Sequence, residues 1–133
     1  MPVFGLPLIK KRLRVITRNV RREVAQALDD ASDDLLFRAR GLAPQLDSDL
    51  IESGSILRRG NRSVVTRVVY FDSPYAVVRH EDFYNLGPVS SLKQSPDGEI
   101  GRKYLSRPFE AQQPTYQRDI GAAVRRGLRS AVR

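Results

Sequence analysis

Between Arg12 and Gly41 the chain carries apolar residues at steps of three and four: Leu13, Ile16, Val20, Val24, Ala27, Leu28, Ala31 and Leu35, with Leu42 beyond. At 3.6 residues per turn these positions form one stripe, so the segment is expected to be a single amphipathic helix. A strand would send Ala27 and Leu28, or Leu35 and Leu36, to opposite faces. Gly41 suits the left-handed position after a helix, and Pro44 cannot continue one. At 1.5 Å per residue the helix is roughly 45 Å long, close to the span of a small domain.

Charge on this segment runs against the helix dipole. Lys10, Lys11, Arg12, Arg14, Arg18, Arg21 and Arg22 crowd the N-terminal end, and Asp29, Asp30, Asp33 and Asp34 follow. The dipole favours the reverse order by about 0.3–1 kcal/mol for each charge in a terminal turn. Two readings are open: a solvated face that keeps the protein in solution, or a basic end facing nucleic acid or an acidic neighbour.

The 133 residues suit one domain with one core, and the net charge of +8 implies attraction to polyanions. The absence of cysteine excludes disulfides and thiolate metal sites. No segment is apolar and long enough to span a bilayer. The short apolar run Val3 to Ile9 precedes the basic cluster, the opposite order to a secretory signal, which points to a cytoplasm. With Pro2 and Pro7, residues 1–11 read as an extended N-terminal arm ahead of a single domain over residues 12–133.

After Pro44, the Asp and Ser residues of the 47–53 stretch favour a turn leading to a strand. Ser53 to Arg58 and Ser63 to Asp72 read as antiparallel strands joined at Arg59-Gly60-Asn61-Arg62. The second strand places Val64, Thr66, Val68 and Tyr70 on one face and Val65, Arg67, Val69 and Phe71 on the other. Both faces are therefore expected to be at least partly covered. Tyr75 to Glu81 is a short helix or a third strand, and residues 82–102 form a long Gly-, Pro- and Ser-rich loop. Pro108 can open a second helical region, with Pro114 breaking or kinking it unless Pro114 is itself the first helical residue. Tyr116, Ile120, Val124, Leu128 and Ala131 define a C-terminal amphipathic helix with Arg118, Arg125, Arg126, Arg129 and Arg133 on its polar side and tail. The fold class is α+β: a long N-terminal helix and a C-terminal helix packed on a small, mainly antiparallel sheet, with a long irregular loop.

Catalytic chemistry finds little to work with. His80 is the single histidine. The adjacent residues His80, Glu81 and Asp82 do not converge on one ion from a regular element. Asp47, Asp49 and Glu52 lack the spacing of a calcium loop, and no glycine-rich phosphate loop is present. No catalytic residue, cofactor or metal is expected. Helix-turn-helix, zinc-finger and stacking signatures for nucleic-acid reading are also missing, which leaves sequence-blind phosphate contact by the basic helix.

Three stretches in order resemble the tail-completion, or head–tail joining, proteins of tailed bacteriophages. The long helix runs into Leu42-Ala43-Pro44, then Asp47-Ser48-Asp49-Leu50 and Ser53, similar to that family's approach to its first strand. Ser73-Pro74-Tyr75-Ala76-Val77-Val78-Arg79-His80-Glu81 resembles its Tyr-Ala-x-x-x-x-Glu segment. Gly101-Arg102-Lys103-Tyr104-Leu105-Ser106-Arg107-Pro108-Phe109 resembles its approach to the last helix. Asp49 stands where the family usually has Gly, and the Gly-Thr that often follows the Glu is absent after Glu81.

The resemblance implies a non-enzymatic virion protein at the head–tail junction, present in the host cytoplasm during assembly. It would form a homo-oligomeric ring, commonly of six copies, between the connector or adaptor proteins of the head and the tail-tube or tail-terminator proteins. Non-specific contact with packaged DNA, and no membrane, complete that picture. The expected contact residues are Arg12, Arg14, Arg18 and Arg22 on the basic end and Asp29, Asp30 and Asp33 as acidic partners. His80, Glu81, Asp82, Phe83, Tyr84 and Lys93 complete the set in and beside the loop. The alternatives are an adaptor or stopper ring of the same neck, or a free non-specific DNA-binding protein.

Overall fold

The computed structural model describes residues 5–45, 49–61, 64–82, 84, 86, 90 and 92–131, with side chains described between Thr17 and Ser130. Two long helices lie with a two-stranded antiparallel sheet, an α+β arrangement. Helix α1 spans Gly5–Leu42, 38 residues or about 57 Å. It begins at Gly5 rather than Arg12, so residues 5–11 of the expected extended arm are helical. Pro7 is no obstacle there: it lies in the first turn, where the N–H it lacks would have no helical partner. Residues 1–4 of that arm lie outside the described residues.

A single turn, α2 (Asp49–Glu52), leads into β1 (Gly54–Gly60), and β2 (Val65–Phe71) returns in a register from Gly54 opposite Phe71 to Gly60 opposite Val65. The turn closes when Asn61 N–H donates to Val64 O (2.8 Å) and Val64 N–H donates to Asn61 Oδ1 (2.9 Å). Gly60 has φ +155°, and a Cβ there would sit 2.4 Å from Val64 O, so the hairpin needs glycine. One sheet face rests on α1. The other is more open than expected, because no described third strand or second layer covers it, and Val64, Val68 and Tyr70 are exposed.

The segment read as either helix or strand is helical: α3 spans Ala76–Glu81. After the irregular stretch, helix α4 runs from Ser106 to Ala131 and continues through Pro114, which neither starts nor ends it. Pro114 is exposed, so the carbonyl that loses its partner one turn back can face water. Pro108 lies in the first turn, where proline is tolerated.

Helices α1 and α4 are antiparallel. Tyr116 Oη donates to Asp34 Oδ2 (2.6 Å), and Arg126 meets Glu23 (3.3 Å). At Gly127 the backbones nearly touch, since a Cβ there would lie 2.5 Å from Val20 Cα. A compact core forms where the elements meet, from Leu42, Ala43, Leu50, Ala76 and Tyr104, with Phe71, Ile100 and Leu105 against it.

Candidate functional site

The C-terminal end of α3 and the first turn of α4 share one polar cluster. Ser73 sets the turn that precedes α3, its Oγ accepting from Tyr75 N–H (3.3 Å) and its carbonyl from Ala76 N–H (3.0 Å). At the other end, His80 Nε2 accepts the N–H of Ser106, the first residue of α4 (3.2 Å), and lies 3.0 Å from Ser106 Oγ. Nε2 therefore carries the lone pair, and the proton on Nδ1 is donated to Glu81 Oε1 (2.9 Å). His80 thus acts as an N-terminal cap for a helix that starts 26 residues later.

Glu81 is bound in turn by Lys103 Nζ, and this bond together with that from His80 holds its carboxyl pKa below the ordinary range. Lys103 has a left-handed backbone (φ 61°), held by its N–H donating to His80 O (2.7 Å). Arg102 Nε donates to Glu81 O (2.9 Å). Tyr104 lies beneath, only 2% exposed, with its hydroxyl on Ala76 O (3.0 Å) and its ring edge-on to both Phe71 and His80. Burial, with a smaller contribution from Tyr84, pushes the Tyr104 phenol up to about 12. The arrangement fastens three chain segments together, and each polar atom named is occupied in doing so.

The loop is fastened in the same way. Lys93 Nζ donates to Arg40 O and Ala43 O (both 2.7 Å), carbonyls at the end of α1 that would otherwise lack partners. Burial lowers its amine pKa, a cost that two carbonyl acceptors at the negative end of a helix offset. Gly101 N–H takes the carbonyl of Leu42 (2.8 Å). Ser90 Oγ bonds both the N–H and the carbonyl of Gln45 (2.6 and 2.8 Å). Tyr84 donates to Arg79 O, with the Arg79 guanidinium over its ring at 5.0 Å, and desolvation raises the Tyr84 phenol. Of the loop residues expected as contacts, His80, Glu81, Tyr84 and Lys93 thus act within the fold. Asp82 is exposed, and Phe83 lies outside the described residues.

Along α1 the expected acidic partners divide. Asp29 binds Arg67 (2.6 Å) and Arg58 (3.4 Å) of the hairpin, tying helix to sheet. Asp30 accepts from Gln26 (3.0 Å) in an exposed i, i+4 pair, and Asp33 is exposed. Asp34 joins Arg38 (2.8 Å) and Tyr116, and Arg38 extends the network to Asp97. Arg18 and Arg22 are exposed, while the side chains of Arg12 and Arg14 fall outside the described residues. Antiparallel packing sets Arg18, Arg21 and Arg22 beside Arg125, Arg126 and Arg129 of α4, so two separate basic runs become one pole. It lies against the negative end of the α4 dipole, which offsets part of the repulsion.

Sequence reading missed Lys103, Ser106 and Arg67 as structural partners. Arg67 had left a signal: a cation between Val65, Val69 and Phe71 on the covered face of a strand needs an anion opposite. Lys103 and Ser106 left none, because their partners are distant in sequence.

Two kinds of apolar surface stay open. Tyr75 (67% exposed) and Val77 (73%) on and before α3, and Leu92 (84%) in the loop, project large side chains into solvent. A groove of about 510 Å³ also lies between α1, β2 and α4, with Leu28, Leu35, Val68, Phe109, Tyr116 and Ile120 in its wall. Among the described residues no group of three or more His, Asp or Glu could hold a metal ion, and no helix is long and apolar enough to cross a membrane. No protein-family model, curated protein or solved structure matches the chain.

Proposed function

We propose that this protein is a head–tail joining subunit of a tailed bacteriophage virion, of the tail-completion type, acting by assembly in a ring at the neck rather than by turnover. One observation carries the reading: large apolar side chains stay exposed on α3 and the loop, in a molecule whose polar groups nearby are bonded to its own backbone. Isolated apolar residues are common on surfaces, but Tyr75, Val77 and Leu92 project from segments that Lys93, His80 and Lys103 hold in place. A fastened loop presenting apolar side chains suits docking to the protein layers above and below. One of the three stretches resembling the tail-completion family, Ser73 to Glu81, carries Tyr75 and Val77, and the basic pole is suited to the edge of a DNA channel.

The test is a phage carrying a nonsense mutation in this gene. Lysates should contain DNA-filled heads and complete but separate tails, and added purified protein should restore infectious particles. Mutant particles with firmly attached, infectious tails would overturn the reading. The basic pole favours a second reading, a free DNA-binding protein. That reading requires purified protein to retard duplex DNA with affinity falling steeply as salt rises.

A further inference from the structure

The outward face of α1 carries a line of exposed side chains, Arg18, Arg22, Gln26, Asp30, Asp33 and Phe37, spaced by three and four. Its charges are sorted into blocks: cations, then a neutral residue, then anions. A helix stabilised by its own surface charges alternates their signs at that spacing. Here Arg18 repels Arg22, and Asp30 repels Asp33. The other carboxylates of α1 each meet a cation: Glu23 meets Arg126, Asp29 meets Arg67 and Arg58, and Asp34 meets Arg38. Asp30 accepts from the neutral Gln26. Neither Asp30, Asp33, Arg18 nor Arg22 has an ion pair among the described residues. Phe37 ends the line with 77% of its surface exposed.

Blocks of opposite sign become complementary when the line is turned end for end. A two-fold axis through Gln26, perpendicular to the helix, sets Arg22 of one copy opposite Asp30 of the other, each about 6 Å from the axis along the helix. It also brings Arg18 towards Asp33, about 12 and about 10 Å out, and repeats both pairs on the far side. Phe37 comes to the level of residue 15 of the second copy, about 16 Å out, where an exposed ring gains a helix to lie against. Parallel alignment would set like charge on like. A head-to-tail slide would match one block and leave the other unpaired.

We infer that α1 packs antiparallel on α1 of a second copy about a two-fold axis at Gln26, with Arg18 and Arg22 of each chain paired to Asp30 and Asp33 of the other. Such a contact uses the same surface on both copies and therefore stops at two. Exposed ion pairs are individually weak and screened by salt, so the dimer is weak and salt dissociates it. The inference goes beyond the neck reading and does not rest on it, since it uses none of Tyr75, Val77 or Leu92. Its test uses purified protein, so it can fail while the nonsense-mutant experiment succeeds.

Sedimentation of the full chain, in low salt and up to millimolar concentration, supplies the test. The unaltered protein is expected to form dimers, with association at least about tenfold weaker at roughly 0.5 M salt. Arg22→Glu and Asp30→Arg should each weaken dimerisation at least about tenfold. Combined in one chain they should restore it, because exchanging the signs preserves the match. Both sites are exposed, so the fold is retained. A second measurement locates the axis. The chain has no cysteine, and Gln26→Cys should cross-link two copies under mild oxidation, since residue 26 lies against its own counterpart. Phe37→Cys should not, because its two copies are about 33 Å apart along the helices. A protein that stays monomeric in low salt, a sign-exchanged double variant as weak as the single ones, or cross-linking as ready at position 37 as at position 26 would overturn the inference.

Discussion

The two ends of the α1–α4 pair are built on opposite principles. At the end holding α3 and the loop, polar groups are bonded within the molecule: Lys93 to α1 carbonyls, His80 to the first N–H of α4, and the exposed Glu81 to His80 and Lys103. At the other end, Arg18, Arg22, Arg125 and Arg129 are exposed. One end uses charge to hold backbone together, and the other displays it. Charge alone is therefore a poor guide to where a partner binds. What distinguishes the groups is whether a backbone acceptor or donor lies within reach, and only the fold decides that.

The largest expected effect comes from the core beneath the fastened end. Tyr104→Ala should cost about 4 kcal/mol, because it empties the space shared by Phe71, Ala76 and His80 and removes the hydrogen bond to Ala76 O. Thermal unfolding should show a fall of roughly 15 °C. Tyr104→Phe keeps the ring and loses only the hydroxyl, so about 1 kcal/mol is expected. If the two variants were equally unstable, the hydrogen bond rather than packing would dominate this end.

Next is Lys93→Met, which keeps most of the apolar stem while removing the donor to Arg40 O and Ala43 O. A loss of about 2 kcal/mol is expected in denaturant unfolding, with faster amide exchange confined to the last turn of α1 and the loop. A neutral result would mean that Lys93 decorates this end rather than fastening it.

A smaller effect should appear in acid. Glu81 has its folded-state pKa depressed below the ordinary 4.5, first by the Lys103 bond and then by His80. A depressed carboxyl contributes stability that is fully present above the unfolded-state value and is lost as pH falls through the folded-state one. Glu81→Gln should therefore melt below the unaltered protein at pH 7, and the gap should narrow once pH drops under about 4.5. A gap that stayed constant with pH would show that the carboxylate charge does not matter to the clasp.

Those side chains also show what could and could not be read from sequence. The two helices were legible because periodicity is local: a stripe at steps of three and four needs no knowledge of what covers it. The hairpin was legible from Gly60-Asn61 between two runs of strand character. Helix limits were not. Pro7 and Pro114 read as barriers, yet one occupies a first turn and the other an exposed position where the freed carbonyl can face water. The roles of His80 and Lys93 were hidden for a different reason. Each satisfies backbone groups 26 and about 50 residues away in the chain, and nothing near them in sequence specifies that meeting.

The smallest expected effect completes the contrast, because it concerns charges the fold does not need. Changing Arg18, Arg22 and Arg125 together to Gln should alter stability by no more than about 0.5 kcal/mol at each site, since all three are exposed. Removing like charges from one pole relieves repulsion, so the net change can even favour folding, and it should shrink as added salt screens the remainder. The same triple variant should lose affinity for a polyanion such as heparin, with a shallower dependence on salt than the unaltered chain. Destabilisation as large as that of Lys93→Met would mean that the displayed end is fastened after all, and the distinction between the two ends would collapse.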